Sequence, residues 1–503
     1  MKFKSFTALL LGAVTVTSAL LTSCSQEPKP ADETTESAPA DTTSTQITET
    51  TAAPEPEIPY DYIPKTYGGR TYTMVTPADG SRSIPGSFIT EEETGDVVND
   101  AVYRRNMTVK EKLDVKLAHV MPASMTGFAA ALRTEIQSMN TDYDHAIGFF
   151  SNVVPLVTEG LFTPSTELPY QKDISGRSWY SDKLNDPLKV NGKQYMFLSD
   201  MIAMPNAMYG MFFNASLGER NGIKGVEQLV LDGKWTLDKL FEYTNDFTKD
   251  LDGNGTLDVN DQFALGQFTT LTSAKADTAM TYQYGFGQKT AALNEKGEVE
   301  LLLNSDKMQS IVERLNDLFF TGNRTSWNIG AKNSATAFAE GRILFWNAIL
   351  FHAGNYMRDM KDTYYALPMP KWDENQEEYN TPLTYVSTFI SAIPSTAKDK
   401  EFASAVFDAL SYEGEQNVYP AVFEITMKSK LSADSTASKL FDLICSNAVI
   451  DFGMMYDGDC GMYTLIAKLM SQKSTNFASE FAAIKDKTTA HYKEVLDMFA
   501  KLS

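Results

Sequence analysis

The sequence predicts an α/β fold divided into two lobes or domains. From about residue 70 onward, short apolar segments of strand length alternate with amphipathic helical segments. The run Asp144–Phe150 is nearly all apolar, which is typical of a strand in a parallel sheet that is covered on both faces. The globular part of about 430 residues is longer than one hydrophobic core usually supports.

The first elements alternate strictly between strand and helix. Pro77 and Gly80 end the first strand. Val98, Ala101 and Val102 recur near a 3.6-residue period and predict the first helix. The predicted order is strand 71–75, helix 96–113, strand 114–118, helix 128–139, strand 144–150 and a helix that ends near residue 160.

Further elements follow the same patterns. Tyr209–Asn214 predicts a strand, and Thr236 is a suitable N-cap for the helix that begins after it. The remaining predictions are helices at 307–320, 335–341, 400–411 and 477–502 and strands at 343–346 and 385–393.

The N-terminal segment has the pattern of a lipoprotein export signal. Lys2 and Lys4 precede an apolar stretch from Leu9 to Leu21, and Leu-Thr-Ser-Cys ends at Cys24. This ending resembles a bacterial lipobox. The resemblance implies a signal peptide over 1–23, a diacylglycerol on the Cys24 thiol and a protein anchored by lipid to the extracellular face of the cell membrane. The alternative is an ordinary secretory signal with an incidental cysteine.

Residues 24–66 are rich in Thr, Glu, Pro, Ser and Ala. Such a composition buries too little apolar surface to offset chain entropy, so we expect a disordered tether. A propeptide is the alternative interpretation.

Charge and motif content narrow the function classes. The net charge of −21 argues against binding to nucleic acid or to an anionic membrane surface. The four histidines are scattered, and the sequence has no His-Glu-x-x-His, Gly-x-Ser-x-Gly, Walker A or Gly-x-Gly-x-x-Gly motif. We therefore expect no catalysis, although a glycosidase is not excluded by counting carboxylates. Whether Cys445 and Cys460 pair is left open.

One loop has the spacing of an EF-hand-type calcium site. Gly255 stands at position 6, where a sharp turn is needed, and Asp261 replaces the usual glutamate at position 12. Because aspartate is shorter, the predicted site is weak and structural, with calcium (Ca²⁺) as its ion. An acidic loop without an ion is the alternative. The predicted ligands are Asp250, Asp252, Asn254, Thr256, Asp258 and Asp261.

Several short motifs follow one another in an order known from one family. They are Gly95–Asn106, Tyr143–Ile147, Glu159–Phe162, Gly192–Tyr195 with Met211–Asn214, Trp235–Leu240, Phe338–Arg342, Leu367–Lys371 and Ile393–Lys398. With these motifs the chain resembles the extracellular solute-binding proteins of family 1, the lipoprotein receptors of bacterial ABC importers, especially those for sugars.

The resemblance implies a type II periplasmic-binding-protein-like fold, in which two lobes close over a solute. One lobe would comprise 67–200 plus 393–430 and the other 205–386 plus 433–503. The chain would cross between them near 199–209, 384–394 and 427–432. The implied partners are a small-molecule solute, with a mono- or oligosaccharide as the predicted class, and the permease subunits of an ABC transporter, and the receptor would be a monomer.

Sugars present apolar faces and hydroxyl rims, so we expect aromatic and polar side chains in the cleft. Trp346, followed by Asn347, is predicted to face the cleft by resemblance. Loops at the carboxyl ends of strands line such clefts, which adds further residues. The other candidates are Asp79, Ser151, Asn152, Asp200, Trp327, Tyr385 and Tyr419. Core packing is the alternative for each aromatic residue.

The sequence therefore predicts a lipid-anchored receptor that captures a solute and delivers it unchanged to a transporter. Two alternatives remain: a surface-anchored glycosidase or other hydrolase, and an adhesin-like carbohydrate-binding lipoprotein without a transporter. The sequence leaves the identity of the solute open.

Overall fold

The computed structural model describes residues 65–78, 88–139, 143–202, 204–267, 277–383, 385–386, 388–427 and 435–502. The predicted signal peptide, Cys24, Asp79 and nearly all of the predicted tether lie outside these residues. Among the described residues, no helix combines the length and the apolar character that crossing a bilayer requires.

The described strands are short. They are β1 Arg70–Val75, β2 Val115–Val120, β3 His145–Phe149, β4 Tyr209–Asn214, β5 Phe263–Gln267, β6 Ala291–Leu293, β7 Val299–Leu301, β8 Ile343–Ile349, β9 Tyr364–Leu367, β10 Thr381–Pro382, β11 Phe389–Ala392 and β12 Ala448–Val449.

The helices connect and cover these strands. They are α1 Val97–Leu113, α2 Met125–Ser138, α3 Phe150–Val157, α4 Asp182–Asn185, α5 Ala215–Arg220, α6 Val226–Leu231, α7 Leu237–Thr244, α8 Asp277–Gly285, α9 Asp306–Phe320, α10 Ala331–Ala339, α11 His352–Tyr356, α12 Lys400–Glu413, α13 Tyr419–Met427, α14 Ser435–Ser446, α15 Phe452–Tyr456, α16 Leu465–Ser471 and α17 Phe477–Lys501.

The first sheet has the strand order β11-β3-β1-β2 and forms the centre of one lobe. β1 pairs in parallel with β2 and β3, whereas β11 runs antiparallel to β3. Helices cover both faces: His145 of β3 packs against Phe407 of α12, and a side chain at Gly148 would meet Phe128 of α2. Because both faces are covered, every residue of β3 is buried, as its continuous apolar run predicts.

The second sheet has the order β5-β8-β4-β9 and forms the centre of the other lobe. β5 and β8 are parallel, and β4 is antiparallel to both of its neighbours. Adjacent residues of β8 point to opposite faces. Phe345 packs against Trp235 with ring centroids 5.3 Å apart, and Trp346 packs against Phe338 at 5.6 Å. This sheet is therefore also covered on both sides.

Two connections join the lobes at their facing edges. The segment 198–208 leaves Phe197, which pairs with Ser391 of β11, and enters β4 at Tyr209. The segment 383–388 runs from β10 to Phe389, which lies opposite Phe149 at the carboxyl end of β3. Most of the third predicted crossing, 427–432, lies outside the described residues. The lobe boundaries given above stay a prediction.

Most of the predicted elements are confirmed, and Tyr209–Asn214 has the predicted bounds. The predicted strand 385–393 is correct only for Phe389–Ala392, because the residues before it form the connection between the lobes. α8 was not predicted. Its described side chains are buried on every side, so its sequence shows no amphipathic period.

Candidate ligand-binding cleft

The carboxyl edge of the first sheet brings two of the predicted ligand-binding residues together. The backbone N–H of Ser151, in the first turn of α3, donates to the carbonyl of Tyr385 in the second connection, at 3.2 Å. The Tyr385 N–H in turn faces the Tyr463 hydroxyl oxygen at 3.5 Å. These contacts tie the edge of one lobe to the connection and to the C-terminal part of the chain.

Aromatic rings form a patch on the same edge. Phe389 packs against Phe149 with ring centroids 4.0 Å apart and against Phe88 at 5.7 Å. Phe88 follows the loop after β1, so three separate segments supply the patch. Phe149 and Phe389 are buried, so this cluster supports the edge of the sheet from within, and only Phe88 is partly exposed.

A pocket of about 310 Å³ lies beside the first connection. We call it the Asp200 pocket. Its volume is at the lower end of the roughly 300–1,000 Å³ that is usual for small-molecule sites. Two of the predicted residues, Asp200 and Tyr419, lie in its wall. The lining residues are Ser178, Trp179, Ser181, Leu184, Leu198, Ser199, Asp200, Met208, Tyr419, Asp442, Cys445 and Ser446.

Both lobes contribute to this pocket. Trp179 packs edge-on against Tyr412 of α12, which covers the first sheet, with ring centroids 5.2 Å apart. Asp442 and Cys445 lie on α14, which packs against β9 of the second sheet. The pocket is therefore at the interface that would open or close when the lobes move.

A close backbone approach positions the two predicted residues. α12 continues into a π-helical turn, Gly414–Val418, and Tyr419 follows it directly. A Cβ atom at Gly414 would lie 2.4 Å from the Asp200 carbonyl oxygen, so only glycine allows the turn to approach the first connection this closely. The Asp200 N–H donates to the carbonyl of Trp179 at 3.1 Å. Such π turns are frequent at functional sites.

Burial dominates the electrostatics of the pocket. It raises the pKa of Asp200 well above its usual range, and the neighbouring charge of Glu415 raises it further. Burial also raises the pKa of the Cys445 thiol to about 12. The thiol is therefore protonated at neutral pH and is a poor nucleophile.

A second pocket, of about 500 Å³, lies at the beginning of α1. Asp96 caps this helix by accepting the N–H groups of Val98 and Asn99. Its other carboxylate oxygen faces Arg358 of the second lobe at 3.5 Å. An ion pair therefore connects the two lobes beside this pocket. The lining residues are Thr94, Gly95, Asp96, Val97, Ala353, Gly354, Arg358 and Tyr364.

The structure corrects the predictions for Trp346 and Asn347. Both side chains are fully buried in the second lobe. The Trp346 ring stacks against Phe212 and Phe338, and the Asn347 side-chain amide contacts the sulfur of Met369 at 3.1 Å. Strand β8 extends further than predicted, to Ile349, so these two residues lie inside the sheet rather than in the loop after it.

Two further predicted residues lie outside both pockets and stay predictions. The Asn152 side-chain oxygen accepts the Phe149 N–H at 3.3 Å, and its amide donates to the Met125 carbonyl at 2.9 Å. Trp327 lines neither pocket. The ammonium group of Lys473 lies 4.5 Å from the centroid of the Trp327 ring.

Sequence reasoning missed Trp179, Asp442 and Cys445. Trp179 lies in an irregular segment that carries no periodic signal, and α14 was not predicted at all. These residues meet Asp200 through contacts between segments that are far apart in the sequence, and no local sequence pattern predicts such contacts.

The predicted calcium loop has an arrangement of donors that fits the ion. Oxygens of Asp250, Asp252 and Asp261 lie within 4.8 Å of one another. Gly255 has a φ of +81°, which gives the sharp turn expected at this position. The second carboxylate oxygen of Asp250 accepts the Gly255 N–H at 2.7 Å. Carboxylate oxygens are the hard ligands that Ca²⁺ prefers, but three of them are fewer than the roughly six to eight oxygens that the ion takes, so the calcium site stays a prediction.

Comparison with solved structures shows the fold. A cyclic α-maltosyl-1,6-maltose binding protein from Arthrobacter globiformis superposes with a TM-score of 0.58 at 16% identity, covering 85% of this chain and 100% of that one. An ABC transporter solute-binding protein from Thermotoga lettingae, bound with α-D-tagatose, superposes with a TM-score of 0.54 at 14% identity, covering 84% of this chain and 100% of that one. A maltose/maltodextrin-binding domain from Bdellovibrio bacteriovorus, bound to maltotriose, superposes with a TM-score of 0.51 at 12% identity, covering 86% of this chain and 100% of that one.

These neighbours are binding proteins rather than enzymes, and they establish the two-lobed solute-binding-protein fold for this chain. No family model and no curated protein sequence matches the chain. The family assignment drawn from the short motifs accordingly remains a proposal.

Proposed function

We propose that this protein is a solute-binding receptor of family 1 that captures a carbohydrate and delivers it unchanged to the permease subunits of an ABC transporter. The observation that carries the proposal is the Asp200 pocket, which both lobes line in a fold of the solute-binding type. Closure of the lobes would surround the solute and create the surface that a permease recognises.

The chemistry of the pocket suits a sugar. Trp179 and Tyr419 supply aromatic rings, and seryl hydroxyls and carboxyl groups supply hydrogen-bonding partners. A hexose needs this combination, because its C–H faces pack on rings and its hydroxyl groups donate to carboxylates. Two of the three compared proteins were solved with a bound saccharide and the third is named for one, which supports the same class here.

The proposal includes an anchor and a metal. Diacylglycerol on Cys24 would hold the receptor at the extracellular face of the cell membrane, with residues 24–66 as its tether. Calcium in the loop 250–261 would fix that loop in the second lobe. The side chains of Asp250, Asp252, Asn254, Asp258 and Asp261 and the carbonyl of Thr256 would be its ligands.

A thermal-shift screen with mono- and oligosaccharides tests the proposed function. A saccharide present at about 100 times its dissociation constant should add about 2.7 kcal/mol to the free energy of unfolding. Tyr419→Ala should abolish the shift, because it removes an aromatic wall of the pocket. The matched control is Trp327→Phe, which changes a predicted aromatic residue that lines neither pocket and should preserve the shift.

Two results would contradict the proposal. One is the absence of stabilisation by any saccharide in the screen. The other is chemical conversion of a bound saccharide, which would favour the hydrolase alternative.

A further inference from the structure

The Asp200 pocket is an acidic pocket. Asp200 and Asp442 lie in its wall, and Glu415 lies near enough for its charge to act on Asp200. None of the twelve residues that line it within the described part of the chain is Lys, Arg or His. A cationic ligand in this pocket therefore meets carboxyl groups for which no cation among the lining residues competes.

Two cations that are next to lining residues in the sequence make hydrogen bonds to other partners. Arg177 donates to the Asp408 carboxylate at 3.0 Å and to the Tyr170 carbonyl at 2.8 Å. Lys183 donates to Glu378 and Asn447, both at 3.0 Å. These carboxylates balance both charges, although the Arg177 guanidinium also lies 5.8 Å from the centroid of the Trp179 ring in the pocket wall.

A third cation is also held by hydrogen bonds to other partners. The Arg105 guanidinium is buried and donates to the Met201 carbonyl at 2.8 Å and to the Phe88 carbonyl at 2.7 Å. These bonds hold it on the main chain and away from the pocket.

The carboxyl group of Asp200 is partly exposed in the wall of the pocket. Burial disfavours its charged form, and a ligand that donates a hydrogen bond to the carboxylate favours that form. A charged donor favours it more than a neutral hydroxyl does, because charge-assisted hydrogen bonds are stronger.

The aromatic wall favours the same kind of ligand. Trp179 and Tyr419 line the pocket together with Asp200. The face of an aromatic ring attracts a cation, and it also packs against the C–H face of a sugar ring. One ligand type uses both properties and also satisfies the carboxyl groups.

Building on the proposed function, we infer that the Asp200 pocket takes a saccharide unit that carries a protonated amine, in preference to the same unit with a hydroxyl in its place. The same field disfavours anionic saccharides.

Isothermal titration calorimetry tests this inference with matched probes. D-glucosamine, D-galactosamine and D-mannosamine are compared with D-glucose, D-galactose and D-mannose, and D-glucuronate is the anionic probe. At a pH where the amine is protonated, at least one amino sugar should bind about tenfold or more tightly than its neutral partner, as one charge-assisted hydrogen bond allows. D-glucuronate should not bind.

Variants assign the effect to the pocket. Asp200→Asn should remove the preference for the amine, and Asp442→Asn, which changes an exposed side chain and should leave folding intact, should reduce it. The control is Asp186→Asn, because this carboxylate pairs with Lys189 on the surface at 2.7 Å and does not line the pocket. The Asp186→Asn variant should keep the same preference for the amino sugar as the unmodified protein.

Each remaining outcome overturns the inference. Equal or tighter binding of the neutral sugars overturns it and leaves the proposed function standing. If no amino sugar binds but a neutral saccharide binds in the thermal-shift screen, the inference is overturned and the proposed function stands. Failure of all saccharides overturns both.

Discussion

The imidazole of His145 is fully buried in the first lobe between two aromatic rings. Its centroid lies 4.6 Å from that of Phe407 and 6.1 Å from that of Tyr72. Burial lowers the pKa of His145 to about 3, because the cation would have to leave water. In the unfolded chain the imidazole has its usual pKa of about 6.5. Between these two values the unfolded chain binds more protons, so the free energy of unfolding rises with pH.

This predicts that His145→Phe flattens the pH dependence of stability. Urea unfolding below pH 6.5 should show a slope smaller by up to about 1.4 kcal/mol per pH unit, because one protonation site is gone. His352 remains as a second buried histidine, with its pKa lowered to about 4, so part of the slope should persist. An unchanged slope would contradict the account of His145.

Single residues also show what sequence alone predicts. Asp200 was identified from its place near the first connection and Tyr419 as an aromatic candidate, and both line one pocket. Trp346 was not predictable in the same way, because a tryptophan after an apolar run packs equally well in a core or in a cleft. Only the true end of β8 decides between the two.

At the scale of elements, the π-helical turn is the device that shapes the pocket. Gly414→Ala would place a Cβ atom 2.4 Å from the Asp200 carbonyl oxygen, so the connection must move. Overpacking of this kind typically costs about 1–3 kcal/mol. We expect a lower midpoint in urea and weaker binding of any saccharide found by the screen.

Gly127→Ala is the control for this prediction. Gly127 lies in α2, where the nearest atom to an added Cβ is 3.4 Å away, and alanine favours helix formation. Its stability should be equal or higher. Equal effects of the two substitutions would contradict the role assigned to Gly414.

The calcium loop is the second element with a testable role. Calcium at about 100 times its dissociation constant should raise the free energy of unfolding by about 2.7 kcal/mol. Asp250→Ala should abolish this gain, and Asp246→Ala, four residues before the loop, should preserve it. If chelation leaves the melting temperature unchanged, the metal assignment fails.

Elements with a clear period were predictable and others were not. A short apolar run predicted β4 and amphipathicity predicted α1 correctly, because burial on both faces or on one leaves a pattern in the sequence. α8 and α14 were missed. The EF-hand-type spacing of the loop was recognisable because its ligands are local in sequence.

At the scale of the whole molecule, side-chain contacts join the lobes near the two pockets. Arg358 faces Asp96 at 3.5 Å, and Lys183 reaches Glu378 at 3.0 Å. Exposed pairs of this kind contribute only about 0–1 kcal/mol each. They are weak enough to break when the lobes separate, which a receptor that opens and closes requires.

Small-angle X-ray scattering tests the central claim most directly, with and without a saturating concentration of the saccharide found by the stability screen. The account predicts a smaller radius of gyration in the saturated sample, because the lobes close over the solute, and recovery of the saccharide unaltered. An unchanged radius of gyration at full saturation would contradict it.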